Sequence, residues 1–240
     1  MMLAMASIMP AQAQSDDFGI WTEAAVEKKI NKKLTLDAEA ELRTRDDGFG
    51  EIDRWSVGVG ATYKLKDYMK LSVGYVFLND NHHKVNNTGR KYADYWGQRY
   101  RFNVSLTISQ NFGNLTVSMR ERWQYTYRPE KTVKRYSNVD NDDYDLGEYV
   151  GEHTYQGKGS NMWRYRLQLK YKLTKQWRPY VNAESTIGGS GLDKIRYVAG
   201  TEYRLSKQHS FDVRYLYQHV YKDEDEGNRH VLGLGYTYSF

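Results

Sequence analysis

Ten consecutive residues alternate without exception between apolar and polar side chains: Leu34-Thr35-Leu36-Asp37-Ala38-Glu39-Ala40-Glu41-Leu42-Arg43. Successive side chains of a β-strand point to opposite faces, so a strand here has one apolar face and one charged face. A helix would instead spread Asp37, Glu39 and Glu41 around its circumference. The stretch therefore predicts a strand that separates two very different environments.

The same period of two recurs along the chain from Phe18 to Phe240. We recognise eleven such segments, and none of them has the period of an amphipathic helix. The clearest of the others are 55–65, 69–77, 100–108, 115–127, 163–173, 195–205, 211–217 and 232–240. We therefore expect an all-β, antiparallel fold.

The composition excludes several classes of protein. Aromatic residues make up 15% of the 240 residues, which argues against disorder although the mean hydropathy is only -0.82. No apolar run approaches the roughly 18 residues that a membrane-spanning helix needs. The absence of Cys excludes a disulfide scaffold, thiolate metal sites and a cysteine nucleophile. Basic and acidic residues interleave along the strands instead of forming a basic stripe, so we expect no nucleic-acid partner.

Residues 1–13 have the pattern of a secretion signal. They are apolar and end in Ala11-Gln12-Ala13, a small-x-small cleavage site. No Lys or Arg precedes the apolar stretch, so we expect a signal peptide whose start is truncated. Residues 14–240 would then form a single domain. The alternative is an apolar N-terminus of a cytosolic protein.

The connections between the segments are of two kinds. Short polar turns, such as 31–33 and 174–176, alternate with long loops, of which 79–97 and 128–161 are the longest. Short turns at one end and long loops at the other are typical of outer-membrane barrels. We expect 128–161 to be a long surface loop that covers the mouth of the barrel or enters its lumen.

Alternation alone does not say which face is outside, because a soluble lipocalin-type barrel turns its apolar face inward. Three features favour the membrane. Pairs of charges lie in mid-strand on the polar face, and aromatic residues collect near the strand ends, as girdles at two interfaces require. The chain also ends in Tyr236-Thr237-Tyr238-Ser239-Phe240, which resembles the C-terminal assembly signal of bacterial outer-membrane proteins. These observations predict an antiparallel up-and-down transmembrane β-barrel of 10–12 strands in the outer membrane of a Gram-negative bacterium.

Several motifs together resemble one known family. They are Phe18-Gly19-Ile20-Trp21, Glu27-Lys28-Lys29-Ile30-Asn31-Lys32-Lys33, Tyr95-Trp96-Gly97 and Arg120-Glu121-Arg122-Trp123-Gln124-Tyr125-Thr126-Tyr127-Arg128-Pro129-Glu130. The chain is similar to the domain of unknown function 2490 family over essentially all of 14–240. The resemblance implies an outer-membrane β-barrel. The family has no established activity, so the resemblance implies no catalytic residue.

The strand number conflicts with a general rule. Bacterial single-chain barrels have an even number of strands and both termini in the periplasm. With Phe240 at the periplasmic end, eleven strands would make the segment 18–30 also run towards the periplasm. We therefore expect ten or twelve strands, and we favour twelve.

The charged face of the strands would line the lumen. We predict a basic wall on three neighbouring strands, formed by Arg99, Arg101, Arg120, Arg122, Arg164 and Arg166. We predict an acidic wall formed by Asp37, Glu39, Glu41, Glu184, Glu202 and Asp212. Two interpretations stay open: the charges pair across a narrow barrel and plug it, or they leave a water path that selects ions by sign.

Most of the histidines fall at the long-loop end: His82, His83, His153, His219 and His230. Asp80 with His82 or His83, and His219 or His230 with Asp223 or Asp225, are the pairs that a hydrolase at the barrel rim would use. No nucleophile motif accompanies these pairs, so we expect no catalytic residue.

Two acidic runs, 140–145 and 223–226, could offer oxygen ligands to a divalent cation. Neither has the spacing or the Gly of an EF-hand loop, and solvated charge runs are the simpler interpretation. We therefore expect no metal site and no cofactor.

The function we expect is that of a non-enzymatic outer-membrane β-barrel, with a narrow channel for small charged solutes as a further role. Two alternatives are an outer-membrane hydrolase, active at the rim on proteins or lipids, and a surface-binding protein that acts through 128–161. The expected partners are outer-membrane lipid, lipopolysaccharide and the barrel assembly machinery, which would recognise Tyr236, Tyr238 and Phe240.

Overall fold

A computed structural model describes residues 17–45, 50–86, 91–137, 147–221 and 228–240. The signal peptide predicted at 1–13 lies outside the described residues. No helix within these ranges is long and apolar enough to cross a membrane. The regular elements are thirteen strands: β1 (Asp17–Lys29), β2 (Leu34–Arg45), β3 (Glu51–Lys66), β4 (Met69–Val85), β5 (Lys91–Phe112), β6 (Leu115–Arg128), β7 (Lys131–Ser137), β8 (Tyr149–Tyr155), β9 (Lys158–Tyr171), β10 (Trp177–Gly188), β11 (Gly191–Arg204), β12 (His209–Val220) and β13 (Arg229–Ser239).

Eleven of these strands close into a barrel. Each pairs with its neighbour in the chain, except that β6 pairs with β9 and the ring is closed by β1 against β13. The other two strands, β7 and β8, form a hairpin within the segment 128–161, and β7 is joined to the start of β5 by two residue pairs. The predicted fold class, an all-β up-and-down barrel of 10–12 strands, is confirmed.

The expectation of an even number of strands is wrong. When strand directions alternate around a ring, an odd number leaves the first and last strands parallel. β1 and β13 are indeed parallel, in register from Asp17–Arg229 to Glu27–Ser239. Asp17, the first described residue, consequently lies at the long-loop end, where its carboxylate is 3.2 Å from the Arg229 side chain.

The two faces of the strands are inverted relative to those of a soluble protein. Among the described residues, ten polar or charged residues are buried, against eight hydrophobic ones. Large apolar side chains lie on the outer face, where Val59 is 60% and Leu167 is 54% exposed. The alternation seen in the sequence therefore turns the apolar face of each strand outward and the polar face into the lumen.

Aromatic side chains of the outer face form cross-strand contacts at both ends of the barrel. Towards the long loops, Phe77 lies 5.4 Å from Trp55 and 5.7 Å from Tyr100, measured between ring centroids. Towards the short turns, Trp177 and Tyr203 are 4.8 Å apart. This arrangement corresponds to the two aromatic girdles that the sequence predicts.

Two strands are longer than the sequence pattern predicts. β4 continues to Val85 and β5 begins at Lys91, so most of the predicted loop 79–97 is a hairpin. Because β3 pairs with β4 only as far as Arg54–Asp80, this hairpin projects beyond the barrel ring. On the β4 side, residues 79–84 are all polar, so a search for apolar periodicity does not detect the continuation of this strand.

Candidate functional site: the barrel lumen

A cavity of about 1120 Å³ occupies the lumen. Its lining includes Lys175, Ser206 and Lys207, which lie in the short turns, so the cavity opens at the short-turn end. At the other end it is bounded by Trp21 and Leu216. Within the described residues, the lumen is therefore a vestibule that opens at the short-turn end and has a ceiling of side chains at its other end.

Trp21 is the centre of this ceiling. It is 5% exposed and packs in a buried cluster with Leu216 and Val231. The guanidinium carbon of Arg43 lies 3.7 Å from the centroid of the indole ring, and that of Arg196 lies 5.4 Å from it. Cations over an indole face are attracted by its electron-rich surface, so the two arginines hold the ring across the lumen.

Ion pairs line the lumen beyond the ceiling. Asp80 is 3% exposed and is bound by Arg54 and by Arg99, whose Nε lies 2.5 Å from the carboxylate. Arg229 contacts Asp53 at 3.1 Å. Asp80 was expected at the rim, as the partner of a histidine, and instead it accepts hydrogen bonds from two lumen arginines. The sequence does contain a signal for this position, because Asp80 continues the inward-facing series of β4.

The six arginines of the predicted basic wall all lie on the inner face of β5, β6 and β9. Their neighbours across the strands are often other arginines, since Arg120 is paired with Arg166, and Arg122 with Arg164. Glu184 on β10 contacts two of them: Arg120 at 2.5 Å, and Arg164 through an Nε hydrogen bond of 2.9 Å. Their role stays a prediction, but the structure places these side chains in one patch of the lumen.

The acidic residues of β2 face this patch from the other side of the lumen. Glu41 is held by Arg43 of its own strand at 2.7 Å. Within the described residues, no ion pair is formed by Asp37 or Glu39, although both lie within electrostatic range of Arg122. Here the two walls face one another without touching.

The remaining residues of the predicted acidic wall pair with cations near the opening. Glu202 contacts Lys170 at 2.8 Å and also Arg204. Asp212 contacts Arg214 at 2.8 Å and accepts a hydrogen bond from Tyr180 at 2.8 Å. The ion pairs of the lumen therefore mostly join residues of the same strand or of nearby strands, and not residues of opposite walls.

The histidines at the long-loop end are engaged in contacts with aromatic or acidic neighbours. The Nε2 atom of His83 lies 2.9 Å from Glu51, and the ring of His230 is hydrogen-bonded to the Tyr215 hydroxyl. Asp223 and Asp225, the predicted partners of His219 or His230, lie outside the described residues, as do both acidic runs, 140–145 and 223–226. In the part of the chain that is described, no group of three or more His, Asp and Glu is placed to hold a metal ion.

The outer hairpins form a small aromatic and basic surface. The rings of Tyr95 and Tyr155 stack at 5.4 Å, with Lys131 and Arg135 within 6 Å of one or the other ring. A cavity of about 180 Å³ lies beside them. If the segment 128–161 binds a partner at the cell surface, this cluster is where we expect the contact. Surface binding through 128–161 stays a hypothesis.

Residues 18–238 match the family described as Protein of unknown function (DUF2490). The chain belongs to this family. The match covers nearly all of the described barrel and confirms the resemblance that the sequence motifs indicated. No curated protein matches the chain significantly.

Solved structures similar to this one include two autotransporter barrels. The translocator domain of autotransporter NalP from Neisseria meningitidis is 13% identical, with a TM-score of 0.54, over 80% of this chain and 71% of that one. The beta domain of the Bordetella autotransporter Brka is also 13% identical, with a TM-score of 0.56, over 87% of this chain and 82% of that one. At this identity the likeness concerns the fold alone, which is that of an outer-membrane β-barrel.

The arrangement around Glu184 predicts a strong effect of one neutral substitution. Glu184→Gln leaves Arg120 and Arg164 without their shared counter-charge in a buried site, so we expect the free energy of unfolding to fall by about 3–5 kcal/mol. Glu39→Gln serves as the matched control, because Glu39 forms no ion pair in the described structure, and it should change the free energy by less than about 1 kcal/mol. Urea unfolding of the folded barrel in detergent measures both. Equal losses in the two variants would contradict the described pairing.

Proposed function

We propose that this protein is a non-enzymatic outer-membrane β-barrel with a narrow, charge-lined channel for small solutes, closed at Trp21 in the structure described here. The observation that carries the proposal is the lumen cavity of about 1120 Å³, which is lined by charged side chains and open at the short-turn end. A barrel filled only by its own packed side chains would leave no such space.

The location that we propose rests on the outer face of the barrel. Exposed apolar residues and cross-strand aromatic pairs surround the ring, which suits a lipid environment. The short turns would then face the periplasm and the long loops the outside, where lipopolysaccharide would surround the barrel. In this orientation the vestibule opens towards the periplasm.

The ceiling would make the channel narrow and weakly conducting. At the level of Trp21 the indole ring packs on Leu216 and Val231 and is covered by Arg43 and Arg196. Movement or removal of this ring would join the vestibule to the polar region beyond it. Small charged solutes fit this proposal best, because both walls carry charges.

Removal of the Trp21 ring should widen the channel. We expect small conductance steps from the wild-type protein in a planar lipid bilayer, and severalfold larger steps from Trp21→Ala. Trp163→Ala is the matched control, since Trp163 lies on the outer face and is 43% exposed, and its steps should equal those of the wild type.

Two results would count against this part of the proposal. Absence of conductance in both wild type and Trp21→Ala, with each protein folded as judged by heat-modifiable gel migration, would contradict a channel. Equal steps in wild type and Trp21→Ala would contradict closure by the indole ring.

The end of the chain supports recognition by the barrel assembly machinery. Phe240 is 66% exposed, and its ring lies 4.7 Å from that of Tyr238. The backbone N–H of Phe240 donates to the carbonyl of Glu27 at 2.8 Å, across the β1–β13 closure. Tyr236, Tyr238 and Phe240 would thus be recognised during assembly and then complete the ring.

Deletion of Phe240 should reduce assembly in the cell. We expect a clear fall in the heat-modifiable, folded form in the outer-membrane fraction, because both the terminal aromatic ring and a closing hydrogen bond are lost. Removal of an exposed aromatic elsewhere, Phe112→Ala, should leave the level unchanged. A normal outer-membrane level after deletion of Phe240 would contradict its role as an assembly signal.

A further inference from the structure

The lumen carries more positive charge than the chain as a whole. Within the described residues, fourteen Lys and Arg and seven Asp and Glu line the main cavity, a net charge of +7. The formal net charge of the whole chain is +5. The excess of cations is therefore concentrated inside the barrel, where the field of a narrow space is strongest.

The centre of this excess is a block of four arginines on two neighbouring strands. Arg120 lies directly opposite Arg166, and Arg122 directly opposite Arg164, in the β6–β9 ladder. Like charges directly opposite one another destabilise a sheet. Glu184 contacts only Arg120 and Arg164 of this block, so it does not directly compensate the charges of Arg122 and Arg166.

Arg122 and Arg166 have no acidic contact in the described structure. No carboxylate oxygen of a described residue lies within 4 Å of either guanidinium, and Arg122 instead donates from Nε to the Ser105 hydroxyl at 2.9 Å. Both side chains line the cavity. They are cations that face open space.

Arg101 on β5 adds a third such cation. Its one described side-chain hydrogen bond is a long one, 3.5 Å to the Thr126 hydroxyl. The charged groups that act on it most strongly are other arginines, Arg54 and Arg164 foremost. Arg101 lines the same cavity but is paired with Thr126, four residues along β6 from Arg122, so it adds to the positive field without contacting the same ligand group.

An oxyanion would satisfy this arrangement. Guanidinium groups bind phosphate oxygens through paired N–H donors, and such charge-assisted hydrogen bonds are among the strongest in proteins. An uncompensated charge in a partly buried site is costly, so a bound anion would also relieve the repulsion among the arginines. The cavity is large enough for a small molecule that carries a phosphate group.

We propose that Arg122 and Arg166 bind a small soluble molecule bearing a phosphate group, which enters the vestibule from the short-turn end. The proposal deepens the proposed function by naming the class of solute. It rests on the proposed function in one respect, which is that the vestibule is accessible to water. Bidentate contacts from the two guanidinium groups select a tetrahedral oxyanion over chloride. A phosphate ester would place its organic group in the wider part of the cavity.

The test measures binding to the folded, full-length protein in detergent by calorimetry. The probes are inorganic phosphate and glycerol 3-phosphate, with chloride at the same ionic strength as the reference. We expect both phosphates to bind, and Arg122→Gln/Arg166→Gln to weaken binding by about tenfold or more, since two charge-assisted hydrogen-bonding groups are lost. Tighter binding of glycerol 3-phosphate than of phosphate would identify a phosphate ester as the class.

Two controls keep the result specific. Arg135→Gln removes one arginine charge from the outer hairpin, away from the cavity, and should bind phosphate like the wild type. In phosphate-free buffer, the double variant should resist urea at least as well as the wild type, because two mutually repelling charges are gone. A structural role for the two arginines would instead lower its stability.

Three outcomes would overturn the proposal. They are no phosphate binding by the wild type at millimolar concentrations, equal binding by the double variant, and loss of stability of the double variant without phosphate. Binding in detergent does not depend on conductance, so a failure of the channel proposal and a failure of this one give different patterns.

Discussion

A closed ring of strands leaves no unpaired sheet edge, and in this protein the ring is completed by the parallel pairing of β1 with β13. Parallel pairing is slightly less stable per residue than antiparallel pairing. The closure is supported from the inside: Trp21 of β1 packs on Val231 of β13, and Arg229 holds Asp17 at the long-loop end. The terminal hydrogen bond from Phe240 to Glu27 completes it at the other end. The parallel pairing, the odd number of strands and the start of β1 at the long-loop end are thus one and the same constraint.

The size of the ring then determines what the polar face must do. Eleven strands enclose a lumen in which inner side chains meet at the level of Trp21, and charges in its outer half form ion pairs such as those around Asp80. In the half that opens at the short turns there are more cations than carboxylates, and space remains beside them. The described charges are therefore mostly paired in the outer half of the lumen, and open space lies beside unpaired cations in the half that opens at the short turns.

Much of this fold could be predicted from the sequence, because alternation reports directly on the face of a strand. The series from Leu34 to Arg43 is the clearest case, and the structure places its charges inside and its apolar residues outside. The strand number was harder to predict, because the eleven recognised segments conflicted with a rule derived from other barrels. The count of eleven segments was correct, and the rule does not hold for this barrel. Asp80 was misplaced because the strand continues there through polar residues only.

The contacts within the lumen could not be predicted, for a physical reason. Arg120 reaches past β9 to Glu184, which lies 64 residues later in the chain, and this contact depends on the stagger of three strands. A period of two tells whether a side chain points inward or outward. It does not tell which residues of other strands lie at the same level along the barrel axis. The position of Trp21 in the lumen could have been predicted, because this large aromatic residue falls on the inner face of β1, where the neighbouring inward-facing residues are small or polar.

The inside-out arrangement of the strands is the central claim, and the chain allows a direct test because it contains no Cys. Single cysteines introduced along β9 from Trp163 to Tyr171, spin-labelled in lipid vesicles, can be compared for their accessibility to oxygen, which concentrates in lipid, and to a water-soluble nickel chelate. The account predicts a period of two, with labels at Tyr165, Leu167 and Leu169 accessible to oxygen and those at Arg166 and Gln168 shielded from it. The opposite phase, or no alternation, would contradict it.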